Sequence, residues 1–267
     1  MSWIIWNVRG INKWYKKKEL KLYLRNKHIK LAALLETRVK DHKAPRVFAN
    51  VFPGLKSLNK YSWVINGGVW MVWDPNFYQV THIRSTTQSI HCLINGITGT
   101  LSCLITVIYA FNSIENRKDF WAELTLIEPG VDRPWFIVGG FNAMLYPNDR
   151  LCCAPIALAE TQDFSNCLHT LQLNEVSWRG DYYTWNNKQM GADRIYSRID
   201  RVFGNMDGMM TWGHVVTTYE LPYIFDHSPM LLTRIITGHA RHPSDFSMYG
   251  QNTILSWTKL QQYGINT

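Results

Sequence analysis

The stretch Trp135-Phe136-Ile137-Val138-Gly139-Gly140-Phe141-Asn142 decides how this chain is read. Four apolar residues in succession describe a strand buried on both faces, and the Gly-Gly pair followed by Asn142 ends it in a polar turn. The same grammar recurs along the chain. Trp3-Ile4-Ile5-Trp6 ends in Asn7, Leu31 to Leu35 ends in Glu36, and Leu104 to Ile108 leads to Tyr109. Taken singly, an Asn after a strand is a turn residue, a Tyr is core and a Glu is solvated. If these strands share a sheet edge, however, their polar termini converge on one cleft.

Strand signals dominate the rest of the sequence, as short β-branched and aromatic runs punctuated by Gly, Pro or Asn. They predict strands near 3–7, 30–36, 62–65, 69–73, 79–84, 90–94, 101–109, 135–138, 182–185, 198–203, 215–219 and 230–235. Helical spacing appears over 17–27, where Leu20, Tyr23 and Leu24 share one face, and over 117–128 and 158–171. About a dozen strands with three helices predict an α+β fold, two packed and mostly antiparallel sheets with helices outside them. Residues 1–235 read as one domain. Beyond them the pattern is lost, and 236–267 reads as a C-terminal tail.

With 46% hydrophobic residues the chain has material for a sizeable core. The formal charge of +8 is unevenly spread: between Lys13 and Arg46 stand 12 Lys or Arg against 3 acids, a net +9, so the remainder is close to neutral. A local field of that size favours a polyanion, with a solvated helix face as the plain alternative. The five cysteines, Cys92, Cys103, Cys152, Cys153 and Cys167, contain no CxxC pair and suggest neither a disulfide framework nor a zinc site, which fits a reducing, intracellular compartment. No signal peptide is visible. The longest mostly apolar stretch, Leu101 to Phe111, is about 11 residues, well short of the roughly 20 a membrane span needs.

Eight motifs in order carry a resemblance: Trp6-Asn7-Val8-Arg9-Gly10-Ile11-Asn12, Leu35-Glu36-Thr37-Arg38, Gly67-Gly68-Val69-Trp70, Val107-Ile108-Tyr109-Ala110, Pro134 to Asn142, Tyr183-Thr184-Trp185, Ser197 to Val202, and Asp226-His227-Ser228-Pro229. With them the chain resembles the endonuclease/exonuclease/phosphatase superfamily, the fold of deoxyribonuclease I, and more narrowly the endonuclease domain of plant LINE-type retrotransposon polyproteins. The resemblance implies a four-layer α/β sandwich. It also implies Mg2+ (or Mn2+) held by Glu36, Asp226 and Asn7, oxygen donors of the kind Mg2+ prefers. By the same resemblance His227 would donate to the scissile phosphate while Asp200 orients it, and Tyr109 and Asn142 would contact phosphate oxygens. Lys16, Lys17, Lys18, Lys21 and Arg38 are the expected nucleic-acid contacts, DNA is the expected partner, and the expected location is nuclear if the domain is functional.

Two departures qualify this. The family has Gly-Asp-Phe-Asn where this chain has Gly139-Gly140-Phe141-Asn142, so Gly140 occupies the position of the aspartate that would deprotonate the attacking water. The nearest acids along the chain are Asp132 and Asp149, and a glycine at 140 is free to adopt a positive φ that an aspartate would resist. Phe225 stands where the family has a small polar residue before Asp-His, a change expected to reshape the metal pocket. No reverse-transcriptase motif is present, although the parent polyprotein would carry that domain. The expected activity is therefore nicking of DNA by a metal-dependent endonuclease impaired at Gly140. The alternatives are a catalytically inactive nucleic-acid-binding relic of the same fold or, from another branch, a phosphatase of inositol phosphates or phospholipids.

Overall fold

The computed structural model describes residues 2–59, 68–99, 101–127, 133–151, 155–212 and 214–234. One sheet has seven strands in the spatial order β11 (Trp178–Gly180), β15 (Val215–Tyr219), β16 (Met230–Arg234), β1 (Ser2–Asn7), β2 (Leu31–Leu35), β4 (Trp70–Trp73) and β3 (Lys56–Asn59). A second has six: β10 (Asn174–Glu175), β14 (Asp200–Gly204), β8 (Trp135–Gly140), β7 (Ser102–Tyr109), β6 (Ser89–Gly96) and β5 (Tyr78–Ser85). A small third sheet joins β12 (Trp185–Asn186), β13 (Tyr196–Ser197) and β9 (Arg150–Leu151). The helices are α1 (Trp14–Asn26), α2 (Ala44–Val51), α3 (Ile114–Thr125), α4 (Leu158–Thr170) and the short α5 (Met206–Thr211).

Side-chain alternation along the strands builds four layers. Trp3 and Ile5 of β1 meet Ile105, Val107, Phe136 and Val138 in a core between the sheets. Their neighbours Ile4 and Trp6 turn outward, onto Leu20 and Leu24 of α1 and Val47 and Val51 of α2. On the other side Trp135 and Ile137 pack against Phe120 and Trp121 of α3 and Phe164 of α4. Because both faces are covered, the central strands read as continuous apolar runs. Each large side chain so buried contributes about 1.5–3 kcal/mol over the exposed state.

The sandwich is the predicted one and its sheets are mostly antiparallel, with β1 and β2, β7 and β8, and β11 and β15 pairing parallel. Helices α2 and α5 and strands β3, β9, β10, β11 and β13 escaped the sequence reading. Helix α2 begins Ala44-Pro45, where proline suits the first helical turn. Strand β3 is a partly buried edge with little apolar pattern, and α5 has only six residues. The strand expected at 182–185 is shorter and later, Trp185–Asn186. The strand at 62–65, the tail at 236–267, Asp132, Cys152 and Cys153 lie outside the described residues.

Register places the strand ends. Asn7 pairs beside Leu35 across the parallel β1/β2 ladder, so Asn7 and Glu36 leave the first sheet at one edge. In the second sheet Gly140 lies between Tyr109 of β7 and Asp200 of β14.

Candidate active site

Glu36 follows β2 with a left-handed φ of 50°, a conformation unusual for a non-glycine residue and characteristic of functional sites. The turn aims its carboxylate across the sheet end. Asn7 Nδ2 donates to Glu36 Oε1 at 2.9 Å, and Arg38 donates to Oε2 through Nη2 at 2.6 Å and Nε at 3.2 Å. Burial pushes the Glu36 carboxyl up, but the hydrogen bonds from Asn7, Arg38 and Tyr109 outweigh it and hold the group below the ordinary carboxylate range. The Tyr109 hydroxyl is pushed up by burial and by that same carboxylate, so it stays protonated and donating.

Next to this pair stands a buried dyad. His227 Nδ1 meets Asp200 Oδ2 at 2.8 Å, both side chains at most 5% exposed. Burial alone would lower the His227 pKa; the charges of Asp200, Asp226 and Glu36 and the Asp200 hydrogen bond raise it on balance. With Nδ1 committed, Nε2 is the nitrogen available to a substrate. Asp226 is buried too, and Arg9 Nη1 is paired with its Oδ2. Burial raises the Asp226 carboxyl, and His227 and Arg9 bring it below its usual value.

The backbone holding these groups explains two of the sequence motifs. Thr184 Oγ1 accepts from the amides of Ile199 and Asp200 at 3.1 and 3.0 Å, and the Thr184 carbonyl accepts from Ser228 N at 2.7 Å. Trp185 bridges to His227 in β fashion, and Trp6 Nε1 donates to the His227 carbonyl at 3.0 Å. One threonine thus fixes both halves of the dyad.

Gly140 is the position at which the resemblance calls for an aspartate. A Cβ built there would lie 3.1 Å from Asp200 Oδ1, with Leu35 and Tyr109 at 3.7 and 3.9 Å. That Asp200 oxygen is buried and has no hydrogen-bond partner. The anticipated backbone constraint belongs to the preceding residue: Gly139 has φ of 133°, and a Cβ on it would lie 2.1 Å from the Ile108 carbonyl oxygen, whereas Gly140 has no left-handed φ. Asp149, one of the nearest acids along the chain, is engaged elsewhere. It is fully buried, accepts from the amides of Leu145 and Tyr146 and from the Tyr182 hydroxyl, and is ion-paired with Arg201. The Phe225 ring packs edge-on to Trp6 at 4.7 Å in the outer core with Leu20 and Leu24 of α1, and Lys16 Nζ lies 4.8 Å over its centroid.

Asn142 sits at the turn with a left-handed φ of 48°, and its Nδ2 donates to the Ala110 carbonyl at 2.6 Å, leaving one N–H and the amide oxygen. The basic residues divide. Arg38 is on Glu36, and Lys16 Nζ donates to the Arg9 carbonyl at 3.2 Å, beside the site. Lys21 Nζ instead reaches the Asn50 carbonyl, while Lys18 is exposed and Lys17 half-buried along α1. Arg9 lies within a sequence motif that gives it no role of its own. Its adjacency to Asp226, 217 positions away, has no local signal.

The donor set suits a hard divalent cation in kind, with two depressed carboxylates and an amide oxygen. Each is already engaged: Glu36 by Asn7 and Arg38, Asp226 by Arg9, and Asn7 Oδ1 by the Arg9 amide at 3.0 Å. A cation held by these three groups would have to displace the two guanidinium groups. Among the described residues no group of three or more His, Cys, Asp or Glu side chains is gathered as a metal cluster.

Solved structures share this architecture. The endonuclease domain of TRAS1, a telomere-specific non-LTR retrotransposon, matches with a TM-score of 0.65 at 17% identity, over 88% of this chain and 99% of that one. The 3′ phosphatase NExo from Neisseria, bound to a product DNA hairpin, matches with a TM-score of 0.68 at 17% identity, over 88% of this chain and all of that one. This chain has the endonuclease/exonuclease/phosphatase fold. An AP endonuclease from Archaeoglobus fulgidus matches similarly, with a TM-score of 0.64 at 14% identity, over 88% and 100% of the two chains. At these identities the shared property is the fold. No protein-family model and no curated protein sequence matches. No helix among the described residues is long and apolar enough to cross a membrane.

Proposed function

We propose that this chain is the endonuclease domain of a LINE-type retrotransposon, a Mg2+-dependent phosphodiesterase acting on DNA whose turnover is impaired at Gly140. The observation that carries the reading is the buried His227–Asp200 dyad standing beside the Glu36–Asn7 pair, with Gly140 directly opposite Asp200 in the β8/β14 ladder.

In this reading Arg9, Arg38 and Lys16 draw the polyanion to the cleft. Asp200 fixes the His227 ring and favours its charged form, so that Nε2 presents a proton to a phosphoryl oxygen. Tyr109 and Asn142 orient the phosphate from the second sheet. Mg2+ held by Glu36, Asp226 and Asn7 would supply positive charge against the oxygens that gain electron density. No side chain at 140 takes the proton of the attacking water. A positioned general base is worth roughly 10²- to 10⁴-fold, or about 3–5 kcal/mol of barrier, and cleavage is slowed accordingly.

One observation favours a second reading, a DNA-binding relic without turnover: Arg9 and Arg38 already satisfy the two carboxylates and leave the cleft electrostatically closed without a metal. Nicking of supercoiled plasmid separates the two. Slow nicking that needs Mg2+ and disappears in both Glu36→Ala and His227→Ala supports the nuclease. Nicking absent at every metal concentration, with DNA binding retained, supports the relic.

A further inference from the structure

Two guanidinium groups sit on the carboxylates that a dication would take, and both have fixed roots and free heads. Arg9 and Arg38 stand just past the ends of β1 and β2 with left-handed φ angles of 34° and 52°. Such a backbone persists at a non-glycine residue only where its surroundings hold it. Here the Arg9 amide donates to Asn7 Oδ1 at 3.0 Å, and the Arg9 carbonyl accepts from Lys16 Nζ at 3.2 Å. The Arg38 carbonyl accepts from Asn12 Nδ2 at 2.6 Å, and Gly10 N donates to the Glu36 carbonyl at 2.7 Å, which ties the two loops together. The heads are less confined. Arg9 is 45% and Arg38 48% exposed, against 10% and 9% for Asp226 and Glu36, the carboxylates they pair with.

The four charges cancel, and in the metal-free cleft neither arginine is free to hold a phosphate. Arg9 is also within Coulombic reach of Glu36 and of Tyr109, so the two pairs stand together beside the hydroxyl expected at a phosphate oxygen. An ion pair with one half-exposed partner is weak. A dication on Glu36 and Asp226 would break both pairs and leave each guanidinium in need of an acceptor. Phosphate supplies one, because the planar fork donates two parallel hydrogen bonds to phosphate as it does to carboxylate.

Resting on the reading that the cleft acts on DNA with a divalent metal, we propose that Arg9 and Arg38 exchange partners: the metal takes their carboxylates, and the released guanidiniums take phosphates of the DNA. Metal and DNA are then coupled through these two side chains, and each tightens the other by one and the same factor. In the metal-free protein the arginines serve instead as internal counter-ions, holding Glu36 and Asp226 in place while the cleft stays closed to phosphate.

The test is the affinity for a fluorescein-labelled duplex, read by anisotropy in EDTA and at saturating Mg2+ at one ionic strength, with a gel showing the duplex uncut. The parent is compared with Arg9→Met/Arg38→Met. Mg2+ adds two charges to the cleft in both proteins and competes for the DNA backbone equally in both, so these effects cancel in the comparison. The ratio of Mg2+ to EDTA affinity is expected to be about tenfold larger in the parent, a coupling of the usual size for linked sites. Arg9→Lys/Arg38→Lys keeps the charge and loses the fork, and its ratio should fall between the two. Titration of Mg2+ with and without DNA should return the same coupling from the metal side, and circular dichroism shows that each variant is folded. Equal ratios in parent and Met variant, with both ligands bound by both proteins, overturn the exchange alone. Loss of Mg2+ binding in the Met variant also overturns it, since the arginines would then support the ligands rather than compete for them. A parent that binds no DNA, or no Mg2+, overturns the proposed function and the exchange with it.

Discussion

Replacing Arg9 by methionine should tighten Mg2+ binding. The Arg9 guanidinium sits on the Asp226 carboxylate, which is 10% exposed, while the Arg9 side chain is 45% exposed, so solvent screens the pair. An ion pair of that exposure contributes about 0.5–1 kcal/mol. A cation that binds Asp226 must give that up, and removing the competitor should return it as about a two- to fivefold gain in affinity, at 1.4 kcal/mol per tenfold. Removing a positive charge from beside the incoming dication adds to the gain, most at low ionic strength. Methionine keeps the length and packing of the arginine stem. Isothermal titration of Mg2+ into parent and Arg9→Met, at low and high salt, reads the effect directly, with Glu36→Ala as the variant expected to lose saturable binding. Unchanged or weaker affinity in Arg9→Met, with Glu36→Ala still abolishing binding, would refute the idea that Arg9 competes for the metal ligand.

Three further outcomes are expected. His91 is buried with Nδ1 2.7 Å from Thr106 Oγ1, and burial first, then the charges of Arg84 and His82, lower its pKa to about 4. The unfolded chain therefore binds this proton first, and stability present above pH 6.5 falls as the pH drops towards 4, by about 3 kcal/mol from this group; denaturant melts at pH 7 and pH 5 should show a smaller loss in His91→Gln. Gly139→Ala should destabilise by more than about 3 kcal/mol, because its Cβ would meet the Ile108 carbonyl oxygen inside the β7/β8 ladder, and a melting temperature close to the parent's would show the register to be wrong. Neutralising Lys16, Lys17 and Lys18 should flatten the dependence of log DNA affinity on log salt by about 0.9 for each DNA phosphate that is no longer neutralised, whereas Lys21→Gln, whose parent side chain turns to Asn50, should leave it nearly unchanged.

The sandwich was legible because its central strands are apolar on both faces, and the site because each such strand ends in a single polar residue. Asn7, Glu36, Tyr109 and Asn142 could be picked out that way, since strand order and polar termini are local patterns, whereas Asp200, which opens β14, and His227 come only with the motifs of the resemblance. What the sequence hid is non-local. Arg9 on Asp226, Lys21 on Asn50, and the Asp149–Arg201 pair that ties the loop after Asn142 to β14 depend on partners 29 to 217 positions apart. The glycine pair shows the limit most clearly: sequence marks Gly140 as the changed residue, yet backbone strain sits on Gly139, and only the pairing with Ile108 reveals it.

The central claim, a nuclease cleft complete but for one carboxylate, is tested most directly by Gly140→Asp. Its Cβ would stand 3.1 Å from Asp200 Oδ1, so the neighbour must shift by a few tenths of an ångström. Two carboxylates across the ladder repel and raise each other's pKa, which costs stability on the order of 1–3 kcal/mol but suits a base working near neutral pH. In a supercoiled-plasmid assay with Mg2+, Gly140→Asp is expected to nick at least about 10²-fold faster than the parent. His227→Ala in the same background should remove the gain, because both groups act on one transition state. Equal nicking rates for parent and Gly140→Asp, with both proteins folded, would contradict the account.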